Sequence, residues 1–202
     1  MAAKDKAPPS RKEALTGLAV DMMQSSGFSA LALRGLAQKA CIQAASLYSH
    51  FESKNALAQQ AMALYAQRQR DDLSAIDHAP AGNARLHGYV EMFAATLCNE
   101  NRLCLGLMLA VERNAIPDEV MQEIRLFSAQ NIAWLETAWE LGRADRSIRS
   151  EMEGKAAAPM IFGAAEGMMA FALLAPDPAP AFRRQLGGLL AALGVTAPLP
   201  AP

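Results

Sequence analysis

The sequence is poor in cysteine, in aromatic residues and in the β-branched residues that strands prefer. Its three cysteines, Cys41, Cys98 and Cys104, are too few and too unevenly spaced for a disulfide framework. The first twelve residues, MAAKDKAPPSRK, are polar and lack the apolar centre of a secretory signal. We therefore expect a protein of the reducing cytoplasm.

Long apolar runs are also lacking, with one exception. Residues 156–175 are apolar enough to be considered as a membrane span. The run contains Pro159 and Glu166, however, and it lacks the basic and aromatic residues that flank membrane helices. We expect a buried helix in this region and no membrane partner.

Alanine, leucine and methionine are abundant, and apolar residues make up 52% of the 202 residues, which is enough for a sizeable core. This balance favours helices over strands. Apolar positions recur at helical spacing along most of the chain. The sequence therefore predicts an all-α protein of about nine helices.

Several helix ends are marked by their own residues. Ser10 followed by Glu13 is a capping box, and Gly27 stands where the first helix should end. Ser53 is placed to cap a later helix, and Pro117 suits the first turn of a long one. These signals predict helix boundaries independently of the apolar pattern.

The net charge of −1 hides an uneven distribution. Residues 1–70 contain nine Lys and Arg against four Asp and Glu, whereas residues 71–202 contain ten against sixteen. A basic N-terminal third on an acidic remainder suggests a surface that binds a polyanion, although chance segregation would look the same.

The segment GLAQKACIQAASLYSHFESKNAL predicts two short helices joined by a tight turn, which is a helix-turn-helix. Leu47 and Phe51 are four residues apart and should face the core. The second helix would enter the major groove, where tyrosine and histidine can bind phosphate oxygens and small residues permit close approach. The side chains left for DNA are Ala44, Ala45, Ser46, Tyr48, Ser49 and His50. Lys54 opens the next helix, where a cation is favourable only if a phosphate binds there.

The stretch GFSALALRGLAQKACIQAASLYSHFESKNAL resembles the TetR family of bacterial transcriptional regulators. The resemblance implies that Ser46, Tyr48, His50 and Lys54 contact DNA, and that Arg34 contacts it as in some members. The chain departs from the family pattern in two places. Cys41 stands in the turn where glycine is usual, and Ala32 stands where a Ser or Thr often caps the second helix.

The resemblance also implies a division into a DNA-binding head and a helical body. We expect a flexible arm at residues 1–9, a helix-turn-helix domain at 10–56, a ligand-binding and dimerisation domain at 57–194, and a disordered tail at 195–202. The segment DHAPAGN is expected to separate head from body.

In the family, the last two helices pair with those of a second subunit. Two glycines four residues apart on one helix face agree with close packing between helices. A homodimer would also place two heads on successive major grooves. The alternative is that these residues form an intrachain core. The expected interface residues are Gly163, Gly167, Phe171, Leu186, Leu189, Leu190 and Leu193.

The body should also contain a cavity for an inducer of unknown identity. Methionine adapts to irregular gaps and suits promiscuous binding sites, although any of these residues could be plain core. The candidate lining residues are Met92, Phe93, Cys104, Leu105, Met108, Leu109, Phe127, Trp134, Phe162 and Met169.

The segment CLGLMLAVE resembles a subgroup that responds to electrophiles such as N-ethylmaleimide. That resemblance makes Cys104 a candidate redox sensor, because a cysteine in this helix has that role in the subgroup. A sensor needs an exposed or activated thiolate, so an inert, buried Cys104 is the alternative. Cys41 is a competing candidate.

Taken together, these features predict a DNA-binding transcriptional regulator. The resemblance favours a repressor that a small molecule or electrophile releases from a pseudo-palindromic operator. We expect no cofactor and no metal, because no catalytic motif is present and His50, His78 and His87 are far apart in sequence. The alternatives are a helical interaction protein without DNA binding and, less favoured, an enzyme.

Overall fold

The computed structural model describes residues 10–197, and this part of the chain contains nine α-helices and no β-sheet. The all-α prediction is confirmed. In chain order the helices are α1 (Arg11–Ser26), α2 (Leu33–Lys39), α3 (Ala44–Tyr48), α4 (Lys54–Ile76), α5 (Gly82–Cys98), α6 (Leu105–Val111), α7 (Asp118–Ala144), α8 (Gly154–Ala172) and α9 (Pro178–Ala192).

The ends of α1 are those that the sequence predicts. Ser10 accepts a hydrogen bond from the Glu13 amide at 3.2 Å, and the Ser10 amide donates to the Glu13 carboxylate at 2.7 Å. Two otherwise unpaired amides are thus satisfied at the start of the helix. Gly27 follows the last residue with φ = 78°, a conformation that glycine adopts without strain.

Helix α4 joins the two halves of the molecule. Ser53 caps it by accepting from the Ala56 amide at 3.1 Å, as predicted. The helix then runs for 23 residues and packs against α1 on one side and α7 on the other. The expected domain boundary at residues 56 and 57 therefore falls inside a continuous helix, and movement of α4 must involve both halves.

The body is built around α5, α7, α8 and α9. Aromatic rings form its centre: Tyr89 stacks on Trp134 at 5.7 Å between ring centroids, and Phe93 stacks on Phe182 at 6.2 Å. Trp139 is fully buried and donates to the Met152 carbonyl at 2.9 Å. These contacts bring the last two helices onto the earlier ones.

The prediction of a disordered tail is wrong for residues 195–197. Val195 is buried and pairs with Ile148 in an isolated antiparallel bridge. The Asn83 side-chain amide donates to the Thr196 hydroxyl at 3.0 Å. The proline-rich composition suggested disorder, but these partners come from distant segments that local sequence does not reveal. The predicted arm at 1–9 and residues 198–202 lie outside the described residues.

Within residues 10–197, no helix is both long enough and apolar enough to cross a membrane. The apolar run that raised this question forms α8, which has Pro159 and Glu166 inside it.

Candidate DNA-binding surface and ligand-binding core

Helices α2 and α3 are joined by a turn that carries an unusual backbone conformation. Cys41 has φ = 53°, in the left-handed region that favours glycine. The Ile42 amide donates to the Ala37 carbonyl at 3.0 Å and closes the turn. A cysteine at this position is therefore strained relative to glycine, the residue that is usual in the turn of the pattern it resembles.

The pattern of burial around α3 agrees with the predicted orientation. Leu47 and Phe51 are almost fully buried, and they anchor the helix to the head. Tyr48 is 61% exposed, which is unusual for a large aromatic side chain in a small domain. Arg34, Ala45, Ser46 and Ser49 are also exposed, while Ala44 and His50 are partly buried. The Ser49 hydroxyl proton is already used, because it donates to the Ser46 carbonyl at 2.7 Å.

Lys54 lies beside the turn between α1 and α2. Its ammonium group is 4.2 Å from the centroid of the Phe28 ring and 3.4 Å from the Ser29 carbonyl oxygen. Lys54 is the first residue of α4, and these contacts hold its ammonium group at the edge of the head.

Glu112, at the end of α6, contacts the same turn from the body. Its carboxylate accepts from the Ser29 amide at 2.8 Å and from the Ser29 hydroxyl. Partial burial acts to raise the pKa of Glu112, but the Ser29 hydrogen bonds and the nearby Lys54 charge together hold it below its usual value. No local sequence pattern indicates this contact, because it joins residues 83 positions apart.

Residues 15–61, which include most of α1 and all of α2 and α3, match the family model for bacterial regulatory proteins of the tetR family. The chain has a TetR-type N-terminal domain. The match covers the helix-turn-helix and the beginning of α4, so it includes the expected DNA-facing residues.

Solved structures with the same fold extend the likeness to the body. A TetR-family transcriptional regulator from Agrobacterium tumefaciens is 21% identical with a TM-score of 0.86, and 93% of this chain covers 98% of that one. A TetR regulator from Legionella pneumophila is 21% identical with a TM-score of 0.81 at the same coverage. At this identity the likeness establishes the fold. No curated protein matches the chain in sequence.

The electrophile-responsive subgroup is not distinguished by these similarities. The reduced form of NemR from E. coli is 20% identical with a TM-score of 0.77, and 95% of this chain covers 99% of that one. It is thus no more similar than the Agrobacterium and Legionella regulators. The family model and these solved structures all describe transcriptional regulators.

A cleft of about 310 Å³ lies where α1, α4 and α5 meet. Of the ten expected ligand-binding residues, only Met92 and Phe93 line it. Leu105, Leu109 and Phe127 are buried in the protein core, and Met108, Trp134 and Phe162 are partly buried. The cleft also exposes charged groups that the prediction missed, namely Asp21, Arg68 and Asp72.

Cys104 lies in the core, immediately before the first residue of α6. It is fully buried, and its amide donates to the Met169 sulfur at 3.4 Å. Burial, together with the neighbouring Glu166, raises the pKa of the thiol well above its usual value. A buried, protonated thiol reacts slowly with electrophiles. The burial of Cys104 thus favours the inert alternative over a sensor role, whereas the competing candidate Cys41 is exposed.

Glu166 is the residue that the ligand prediction missed. It lies on α8 beside Cys104, with both carboxylate oxygens buried, and among residues 10–197 only the weakly donating Cys104 thiol interacts with them. Burial raises the pKa of this carboxyl group to about 7. A signal was present in the sequence, because Glu166 is the one acidic residue of the apolar run at 156–175.

Some of the residues expected in the dimer interface are exposed, and others are buried within the protein. On α8, Gly163 and Gly167 are exposed, and a Cβ added at either would meet nothing within 4 Å. Phe171 on the same helix is 71% exposed. Leu186 and Leu190 are fully buried within the protein itself, so their assignment to the interface is wrong. The amphipathic pattern of α9 was correct, but its buried face packs on α5 and α8. Leu189 and Leu193 are partly buried.

Proposed function

We propose that this chain is a ligand-responsive transcriptional regulator that binds operator DNA as a homodimer and represses until an inducer releases it. The observation that carries the proposal is the TetR-type helix-turn-helix, in which Tyr48 is 61% exposed on a helix anchored by Leu47 and Phe51. In a helix-turn-helix, side chains in this position reach bases and phosphates of the major groove.

The proposed DNA-binding surface consists of the exposed residues of α2 and α3 together with the start of α4. Tyr48, His50 and Ser46 supply hydrogen-bonding groups, and Arg34 and Lys54 supply positive charge. The small side chains of Ala44 and Ala45 let α3 approach the duplex closely. Ser49 is the exposed residue that follows α3 on this surface. The operator would have two half-sites about one helical turn apart, since a symmetric dimer places one head on each.

The proposed dimer forms through the exposed face of α8, together with the exposed part of α9. Met160 is 50% exposed on the side of α8 that carries Gly163, Gly167 and Phe171, and Leu174, just beyond the end of α8, is 81% exposed. A run of apolar and small side chains facing solvent along one helix is typical of a protein–protein interface.

A selection from a random double-stranded DNA library tests the proposal. We expect the wild-type protein to enrich a two-fold symmetric sequence, and we expect Tyr48→Ala to bind that sequence at least about tenfold more weakly. Tyr48 is exposed, so the substitution should leave the fold intact, which thermal unfolding checks. A library that remains random after selection would favour the alternative of a helical interaction protein.

A further inference from the structure

We propose that Glu166 is the recognition group for a positively charged inducer, an organic amine carried on a flat apolar body. The inference deepens the proposed function by naming the ligand class of its body. Only the effect of the ligand on DNA binding rests on the proposed function. Ligand binding itself is measured without DNA.

Glu166 lacks a strong partner that would compensate its burial. Both carboxylate oxygens are inaccessible to solvent, and the one side chain that can donate to them is the Cys104 thiol, a weak donor. The other titratable groups that face it are the hydroxyls of Tyr65 on α4 and Tyr89 on α5. The Tyr89 hydroxyl already donates to the Asn131 side chain at 3.0 Å.

A buried acid without a strong partner destabilises the folded protein. Buried carboxylates are normally paired with a cation, bound to a metal or hydrogen-bonded. Within residues 10–197, no group of acidic, histidine and cysteine side chains could hold a metal ion. None of the arginines that form ion pairs is paired with Glu166. A cation from outside the chain would satisfy the carboxylate.

Aromatic side chains pack in the part of the core that holds Glu166. Tyr65 interacts with Glu166, and Phe162 precedes it by about one turn of α8. The Tyr65 and Phe127 rings are 5.7 Å apart between centroids, and the Phe127 and Phe162 rings are 6.4 Å apart. Aromatic faces attract cations, and aromatic side chains pack well against flat apolar molecules. The surroundings of Glu166 therefore favour an ammonium group attached to a ring system over a small inorganic cation.

Tyr65 stands between solvent and this carboxylate. It lines the cleft of about 310 Å³, and its hydroxyl interacts with Cys104 and lies near Glu166. In the proposed complex, displacement of Tyr65 admits the ligand from the cleft. The cleft is also lined by two carboxylates, Asp21 and Asp72, against one guanidinium, Arg68, which favours the entry of a cation.

Isothermal titration of the full-length protein at pH 7 tests the inference with three matched probes. They are 1-naphthylmethylamine, which is cationic, 1-naphthalenemethanol, which is neutral, and 1-naphthoic acid, which is anionic. We expect the amine to bind wild type at least about tenfold more tightly than the alcohol, as a charge-assisted hydrogen bond implies, and the acid to bind most weakly.

Glu166→Gln should weaken binding of the amine by about tenfold or more while changing that of the alcohol by about twofold or less. Glu119→Gln removes an exposed carboxylate at the start of α7 and serves as the control, with wild-type binding expected. Glu166→Asp keeps the charge but shortens the side chain, so its affinity for the amine should lie between those of wild type and Glu166→Gln. This variant also tests the inference if Glu166→Gln folds poorly.

Proton release provides an independent readout. Because the pKa of Glu166 is about 7, amine binding at this pH should expel protons from the wild type and none from Glu166→Gln. Titrations in buffers of different ionisation enthalpy measure this. Equal affinity for amine and alcohol, equal amine affinity in wild type and Glu166→Gln, or no amine binding by wild type would each overturn the inference. The DNA selection described above would still test the proposed function separately.

Discussion

Glu166 shows at the scale of one residue how a binding group can lower the stability of the protein that contains it. Its pKa rises from 4.5 to about 7 on folding, so the folded protein binds more protons than the unfolded chain between these pH values. Stability should then fall as pH rises through this window, by about 3 kcal/mol in total, and stay low above pH 7.

We therefore expect Glu166→Gln to be more stable than wild type at pH 8 and close to it at pH 5. Urea unfolding at both values measures the difference, in the absence of any amine. Glu119→Gln should follow the wild type at both. A Glu166→Gln variant whose advantage did not grow with pH would mean that the carboxylate has a partner or reaches solvent.

Lys54 is the second residue whose chemistry can be isolated. Its position between the Phe28 ring and the Ser29 carbonyl leaves the ammonium group near the edge of the head, where a phosphate would lie. Lys54→Ala should weaken binding to all DNA sequences alike and lower the slope of log K against log salt by about one.

Lys155→Ala is the matched control for Lys54, because Lys155 is exposed on α8 in the body. It removes the same charge and should leave the salt slope unchanged. Fluorescence anisotropy over a range of salt concentrations measures both variants. An unchanged slope for Lys54→Ala would remove this residue from the DNA-binding surface.

At the scale of an element, α8 has two faces with different requirements. One face packs on α7 and α9, while the other exposes Gly163, Gly167 and Phe171. Since a Cβ at either glycine meets nothing in the protomer, bulk there should be tolerated by the fold. Gly163→Leu should even favour the helix slightly, yet it should separate the subunits of a closely packed dimer.

Analytical ultracentrifugation measures the result, with unchanged thermal unfolding of the protomer as the check on folding. Ala133→Leu, at an exposed position on α7, is the control and should sediment as wild type does. If Gly163→Leu also remains dimeric, the dimer forms through another surface.

The elements also show which predictions a sequence supports. The ends of α1 and α4 follow from Ser10, Gly27 and Ser53, because a cap depends on residues three or four positions away. The burial of Leu186 and the order of residues 195–197 depend on partners far away in sequence. For the same reason the burial of Leu47 and Phe51 and the exposure of Tyr48 follow from local spacing, whereas the isolation of Glu166 does not.

At the scale of the whole molecule, the segment that contains α6 is fastened to the head at both ends. Before the helix, Arg102 forms an ion pair with Asp21 of α1, and the Gln24 side chain donates to the Leu103 carbonyl at 2.8 Å. After it, Glu112 accepts from Ser29. Cys104 lies between these contacts and beside Glu166, so a change in the core can be transmitted to the head through this segment.

The contact of Glu112 has a specific consequence for DNA binding. Its carboxylate binds the amide and hydroxyl of Ser29 and lies near Lys54, so in the proposed complex it would compete with a phosphate for the same groups. We expect Glu112→Gln to tighten DNA binding by about three- to tenfold at low salt, because a negative charge beside the proposed duplex position is removed. Glu151→Gln, at an exposed position between α7 and α8, is the charge-matched control and should have no effect.

A double-mutant cycle decides whether the gain depends on Lys54. If Glu112 restrains that lysine, Glu112→Gln should add little in a Lys54→Ala background, and the two effects should not be additive. Anisotropy with the selected operator measures all four proteins under one salt condition. Weaker binding by Glu112→Gln would instead mean that the carboxylate supports the turn between α1 and α2 in the conformation that binds DNA. The contact from α6 would then hold the head in its active form, and an inducer would release DNA by breaking it.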